Sequence, residues 1–149
     1  HIQRFLPTGC PRDNFNNHSI VSVFSYADIK VVIPGDNEDE SFMELLKNDA
    51  FIKAIDGADI LLAPHHGRIS GYFDDFVNLV YPRLTIVSDG RFCDTSANPR
   101  YSAKSRGWTV YKGGQETKRK CLTTNSDGEV FVKFGYDENG KRFLNVRIK

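Results

Sequence analysis

A chain of 149 residues is long enough to bury a core as one ordinary domain, and 40% apolar with 26% charged residues excludes a disordered chain. Twenty basic residues against nineteen acidic leave a net +1, so no global field favours nucleic acid or an anionic membrane. Three widely spaced cysteines (Cys10, Cys93 and Cys121) without a CxxC suit reduced thiols in the cytoplasm better than a disulfide framework or a structural zinc site, and no apolar run is long enough to span a bilayer.

In chain order, residues 1–17 read as an irregular lead-in, because Gly9, Pro11, Asp13 and Asn14-Phe15-Asn16-Asn17 are turn chemistry. Ser19 to Ser25 and Ile29 to Ile33 alternate on either side of Tyr26-Ala27-Asp28, which predicts an antiparallel hairpin. Its second arm runs into Pro34-Gly35-Asp36. Asp39 or Ser41 is the candidate cap of one helix carrying Phe42, Leu45, Leu46, Phe51, Ile52 and Ile55, stopped by Gly57. Ile60 to Ala63 has the profile of a strand buried on both faces; Pro64 ends it and leaves His65-His66-Gly67 at its carboxyl end.

A second helix is predicted over roughly Tyr72 to Val80, ended by Pro82, and a buried strand over Leu84 to Val87, closing on Ser88-Asp89-Gly90. A third helix spans about Pro99 to Arg106, and Trp108 to Tyr111 is a strand. From Cys121 onward the chain reads as hairpins, with turns at Ser126-Asp127-Gly128 and Asp137-Glu138-Asn139-Gly140. Strands alternating with helices in this order predict an α/β layered fold.

Asp36, the histidines and the Ser88–Asp94 segment all follow the end of a strand. Open α/β sheets bring successive strand ends to one edge, so the three are expected to converge. One carboxylate with imidazoles is a ligand set for zinc, manganese or iron. The plain alternative is a turn-forming aspartate and a histidine turn satisfied by its own backbone. His18 reads as structural, and Cys93 has no adjacent base to make it a nucleophile. Lys112, Lys118, Arg119 and Lys120 form a basic cluster with Trp108 and Tyr111 nearby for stacking, unless it is simply a solvated loop.

The order Asn17-His18-Ser19-Ile20-Val21, Ile33-Pro34-Gly35-Asp36, Asp59-Ile60-Leu61-Leu62-Ala63-Pro64-His65-His66-Gly67 and Ser88-Asp89-Gly90 resembles the second half of a metallo-β-lactamase-fold hydrolase, nearest the ComEC-like branch named for a DNA-uptake competence protein. The resemblance covers roughly residues 14–135. It implies an α/β fold, the second half of an αββα sandwich with a mixed sheet and flanking helices. It also implies that Asp36 bridges two ions, zinc or manganese, with His65 and His66 as ligands or as stabilisers of developing charge. In such a site two ions lower the pKa of a bridging water and hold the leaving oxygen.

The departures carry expectations too. The family's His-x-His-x-Asp-His is absent, Arg68 stands where the branch often has serine, and the loop Arg91 to Tyr101 lacks the family's last histidine. Asp94 is the substitute metal ligand expected there, with a capping aspartate as its alternative, and Arg91 and Arg100 flank the site as candidate phosphate-binding residues or partners of surface carboxylates. The chain, which starts at His1, is expected to be a single partial domain whose first half lies on another piece of polypeptide. Half a sandwich leaves a sheet face bare, so the missing half or a second copy of this chain is the expected partner. The expected activity is metal-assisted phosphodiester hydrolysis of nucleic acid or nucleotides once joined to that half. Its alternatives are a degenerate, non-catalytic binding or regulatory domain of the same fold, and an α/β interaction module.

Overall fold

The computed structural model describes residues 1–94 and 96–149. A six-stranded mixed sheet has the order β1-β2-β3-β4-β5-β8, and a four-stranded sheet has the order β7-β6-β10-β9. In the first, β1 (Ile2–Phe5), β2 (Val21–Tyr26) and β3 (Ile29–Ile33) are antiparallel. β3, β4 (Ile60–Leu62), β5 (Leu84–Val87) and β8 (Cys121–Thr123) are parallel. In the second, β6 (Trp108–Lys112) pairs with β7 (Gln115–Arg119) and with β10 (Arg142–Ile148), which pairs with β9 (Val130–Tyr136). The α/β class read from the sequence is the class observed.

Period-two alternation sorts the central strands into two cores. Val32, Leu61 and Val87 face a helical layer, where Phe42 stacks on Phe76 at 4.2 Å between ring centroids. Ile60, Leu84, Ile86 and Leu122 face the second sheet and meet Val110, Val146 and Ile148. The layers are therefore helices, sheet, sheet. The bare sheet face expected of a half-sandwich is bare only in part. Along the in-register row Ile2, Phe24, Val31, Ile60, Leu84, exposure falls from 48% at Ile2 to 2% at Ile60 and 0% at Leu84. The second sheet covers the β4–β5 end of the row and leaves the β1–β2 end open.

Four elements differ from the sequence reading. The lead-in is not irregular throughout: Ile2–Phe5 forms the edge strand β1, and Glu44 holds the following turn through the N–H groups of Thr8 and Gly9. Four residues are too few for alternation to register. The first long helix is two, α1 (Asp39–Leu45) and α2 (Asp49–Ile55), because the Asn48 side chain accepts from the N–H groups of Ala50 and Phe51 and starts a new helix. The segment after Tyr111 is a hairpin, β6–β7, turned on Gly113 and Gly114, both at positive φ. Ser126-Asp127 ends a one-turn helix, α5 (Thr124–Asp127), that carries the chain from one sheet to the other. Helices α3 (Asp74–Val80) and α4 (Asn98–Lys104) fall within a few residues of expectation.

Because β3, β4, β5 and β8 run parallel, their carboxyl ends share one edge. Pro34-Gly35-Asp36, Pro64-His65-His66-Gly67 and Ser88-Asp89 begin there.

Candidate functional site

The histidine turn is held in an unusual backbone conformation. His65 (φ 48°, ψ 47°) and His66 (φ 55°, ψ 29°) are both left-handed, and Gly67 follows at φ 74°. Left-handed geometry costs a non-glycine residue roughly 1–2 kcal/mol, so two in succession need strong local support. The support is visible. The His65 N–H donates to the Gly35 carbonyl at 3.0 Å, tying this turn to the Gly-Asp turn. A Cβ on Gly67 would sit 2.5 Å from Val87 Cγ1, and one on Gly71 2.7 Å from the Pro64 carbonyl oxygen. Only glycine lets the turn press so closely onto β5 and the chain behind it.

The turn sends its two rings to different environments. The His66 Nδ1 lies 2.8 Å from the Ser88 carbonyl oxygen. A carbonyl only accepts, so Nδ1 carries the proton and Nε2 is turned outward, 3.5 Å from Asp36 Oδ1. Both side chains are about half exposed, His66 at 51% and Asp36 at 45%. A neutral Nε2 and a carboxylate oxygen are both acceptors. A shared donor or cation between them would satisfy both: a water, a second proton on the ring, or a metal ion. Backbone orientation of the distal ring nitrogen is also the usual outer-shell arrangement of a metal-binding histidine.

His65 is occupied. Its Nδ1 is 2.8 Å from Glu38 Oε1 and 3.0 Å from Ser70 Oγ, with the Arg68 guanidinium 3.5 Å from Nε2. Burial raises the Glu38 carboxyl, but hydrogen bonds from Asn14, Asn16 and Ser70 and the charge of His65 outweigh it, so the group titrates below its ordinary value. A serine–histidine–carboxylate relay needs hydroxyl and carboxylate on opposite ring nitrogens. Here both share Nδ1, so Ser70 is not an activated nucleophile.

Asp36 is positioned from behind by the Asn17–Ser19 segment. Ser19 Oγ accepts from the Asp36 N–H at 3.2 Å, and the buried Asn37 amide donates to the Ser19 and Pro34 carbonyls at 2.8 and 2.7 Å. Asn17, also buried, accepts from the Glu38 N–H and donates to Glu40. A Cβ on Gly35 would meet Ser19 Cβ at 2.8 Å, so the Gly-Asp turn and the Asn-x-Ser segment are built against each other.

Of the site residues expected from sequence, the structure brings Asp36 and His66 together. His65 turns away to Glu38. Asp94 accepts from the Ser96 N–H and hydroxyl at 2.9 and 3.1 Å, which first of all lowers its pKa, so it closes its own turn. Arg91 is exposed on the loop after β5, while Arg100 sits on α4 with its guanidinium 5.6 Å from the Tyr72 ring centroid. Thr95, in the same loop, lies outside the described residues. Among the described residues no three His, Cys, Asp or Glu side chains gather closely enough to hold a metal ion. Cys93 Sγ accepts from the Gly90 N–H.

The basic cluster is split by its sheet. Lys112 and Arg119 are tied to Asp127, and Trp108 points inward, donating from Nε1 to the Leu144 carbonyl beneath the Arg83 guanidinium. Tyr111 and Lys118 fall on the outer face. The residues missed from sequence are Glu38, Ser70 and the Ser88 carbonyl. A backbone acceptor has no sequence signal, whereas Glu38 stands two residues after Asp36, in the same turn that approaches the histidine pair.

No protein-family model matches this chain, and no curated protein matches it at a significant level.

Proposed function

We propose that this chain is the second half of a metallo-β-lactamase-type hydrolase and contributes Asp36 and His66 to a metal centre that cleaves phosphodiesters. The observation that carries the reading is the Asp36 Oδ1–His66 Nε2 approach of 3.5 Å, with the other ring nitrogen committed to Ser88. The donor chemistry suits zinc or manganese. It fits as part of a shell, since two donors are fewer than the three protein ligands of a catalytic zinc site. The remaining donors then come from a polypeptide seated against the half-exposed β1–β2 end of the six-stranded sheet, either the first half of the same hydrolase or a second protomer. Asp36 and His66 would hold a divalent cation there, and that ion would supply Lewis acidity toward a water and the leaving oxygen. Asp36 supplies negative charge, His66 is held in one tautomer, and exposed Arg91 is the candidate for a phosphate oxygen.

A second reading, a degenerate non-catalytic member of the same fold, is favoured by the engagement of His65 with Glu38 and of Asp94 with Ser96. Metal analysis of the full-length protein separates the two. The hydrolase reading expects bound zinc or manganese, with both metal and phosphodiesterase activity lost in Asp36→Ala and His66→Ala. A folded, metal-free protein whose phosphodiesterase activity is the same with and without chelator rejects it.

A further inference from the structure

We infer that the outer face of the four-stranded sheet binds single-stranded nucleic acid. The inference stands apart from the Asp36–His66 rim, because it concerns the other sheet and holds whether or not that rim is catalytic. Alternation turns Val110 and Val146 into the inter-sheet core, so their neighbours Tyr111 and Arg147 face outward. The register then lines up Phe131, Arg147 and Tyr111 side by side across three strands. Lys133 and Lys118 lie on the row behind, and Phe143 follows on β10.

This pattern alternates rings and cations. The Arg147 guanidinium is 5.2 Å from the Phe131 ring centroid, and Lys133 Nζ is 5.9 Å from that of Phe143. Phe131 is 43% exposed, and Lys118, Lys133 and Arg147 are exposed. One carboxylate, Glu116, closes the first row against these three cations. A whole-chain charge of +1 makes the positive character local to this face. A face of cations alone would suit any anion. Rings spaced among cations on an exposed sheet suit unpaired bases, which stack on aromatic or guanidinium planes while lysines meet the phosphates. A duplex hides its base faces and gains only the electrostatic part.

The test is fluorescence anisotropy of a labelled single-stranded oligothymidylate of about 12 nucleotides, titrated with the full chain at about 50 and 200 mM salt. Affinity should fall with salt and exceed that for a blunt duplex of equal length. Phe131→Ala should weaken binding about 10-fold, the size of one lost stacking contact, and Phe131→Trp should preserve it. Arg147→Glu with Lys133→Glu should weaken it further and flatten the salt dependence, while Lys53→Glu, on the helical layer, should leave it unchanged. Circular dichroism checks that each variant is folded. No binding at the lower salt, equal affinity for the duplex, or unchanged affinity in folded Phe131→Ala would overturn the inference.

Discussion

His65 and His66 are adjacent in sequence and share a backbone conformation, yet they belong to two different regions. Behind the turn, His65 is enclosed with Glu38, Ser70 and the asparagines that hold Glu38, its side chain 11% exposed. In front, His66 stands half open toward Asp36 with one nitrogen fixed and one presented. Adjacent residues of one type therefore divide the work: the enclosed ring stabilises the turn, and the open ring is available for chemistry. A strained turn persists only where its surroundings over-determine it, and the contacts of the enclosed ring are part of that support.

The largest effect should come from removing the glycine that lets both regions exist. Gly67→Ala meets a left-handed backbone and a 2.5 Å clash with Val87 Cγ1. A loss of about 3 kcal/mol is expected in denaturant unfolding. A value under about 0.5 kcal/mol, ordinary for a surface change, would mean the turn is not held as described.

His65→Ala should cost about 1–2 kcal/mol, since the partly buried Glu38 loses the ring Nδ1 as a hydrogen-bond partner but keeps its asparagine donors. His66→Ala should stay within about 0.5 kcal/mol, as exposed positions do. If the two variants unfold alike, the contrast between the rings fails.

Acid sharpens the same contrast. The Glu38 carboxyl in the folded chain titrates below its usual 4.5. Its contribution is therefore complete above the unfolded value and is lost as the pH falls through the lower folded one. Urea midpoints measured from about pH 5 down to pH 3 should converge for the wild type and Glu38→Gln, with the wild type giving up the larger share. Curves that stay parallel over that range would remove Glu38 from the support of the turn.

Much of the frame was legible in the sequence. The hairpin around Ala27-Asp28, the buried strands Ile60–Leu62 and Leu84–Val87, and the glycine and proline stops are local signals, and local signals survive into the fold. The break between α1 and α2 was masked because Phe42, Leu45, Phe51 and Ile55 keep one apolar face across it, and only the Asn48 cap marks the new start. The hairpin β6–β7 was hidden by polar Gln115–Arg119, a strand with little apolar face to betray it.

From sequence alone it follows that Asp36, the histidine pair and Ser88 lie at carboxyl ends of successive strands, because short apolar runs ended by proline or glycine fix where strands stop, and parallel connection then gathers those ends. Tertiary structure alone decided which imidazole is enclosed and which is presented. That choice depends on the left-handed turn, on the close approach of Gly67 to Val87, and on a glutamate and a backbone carbonyl reaching the two rings from opposite sides, and none of these contacts is local in the chain.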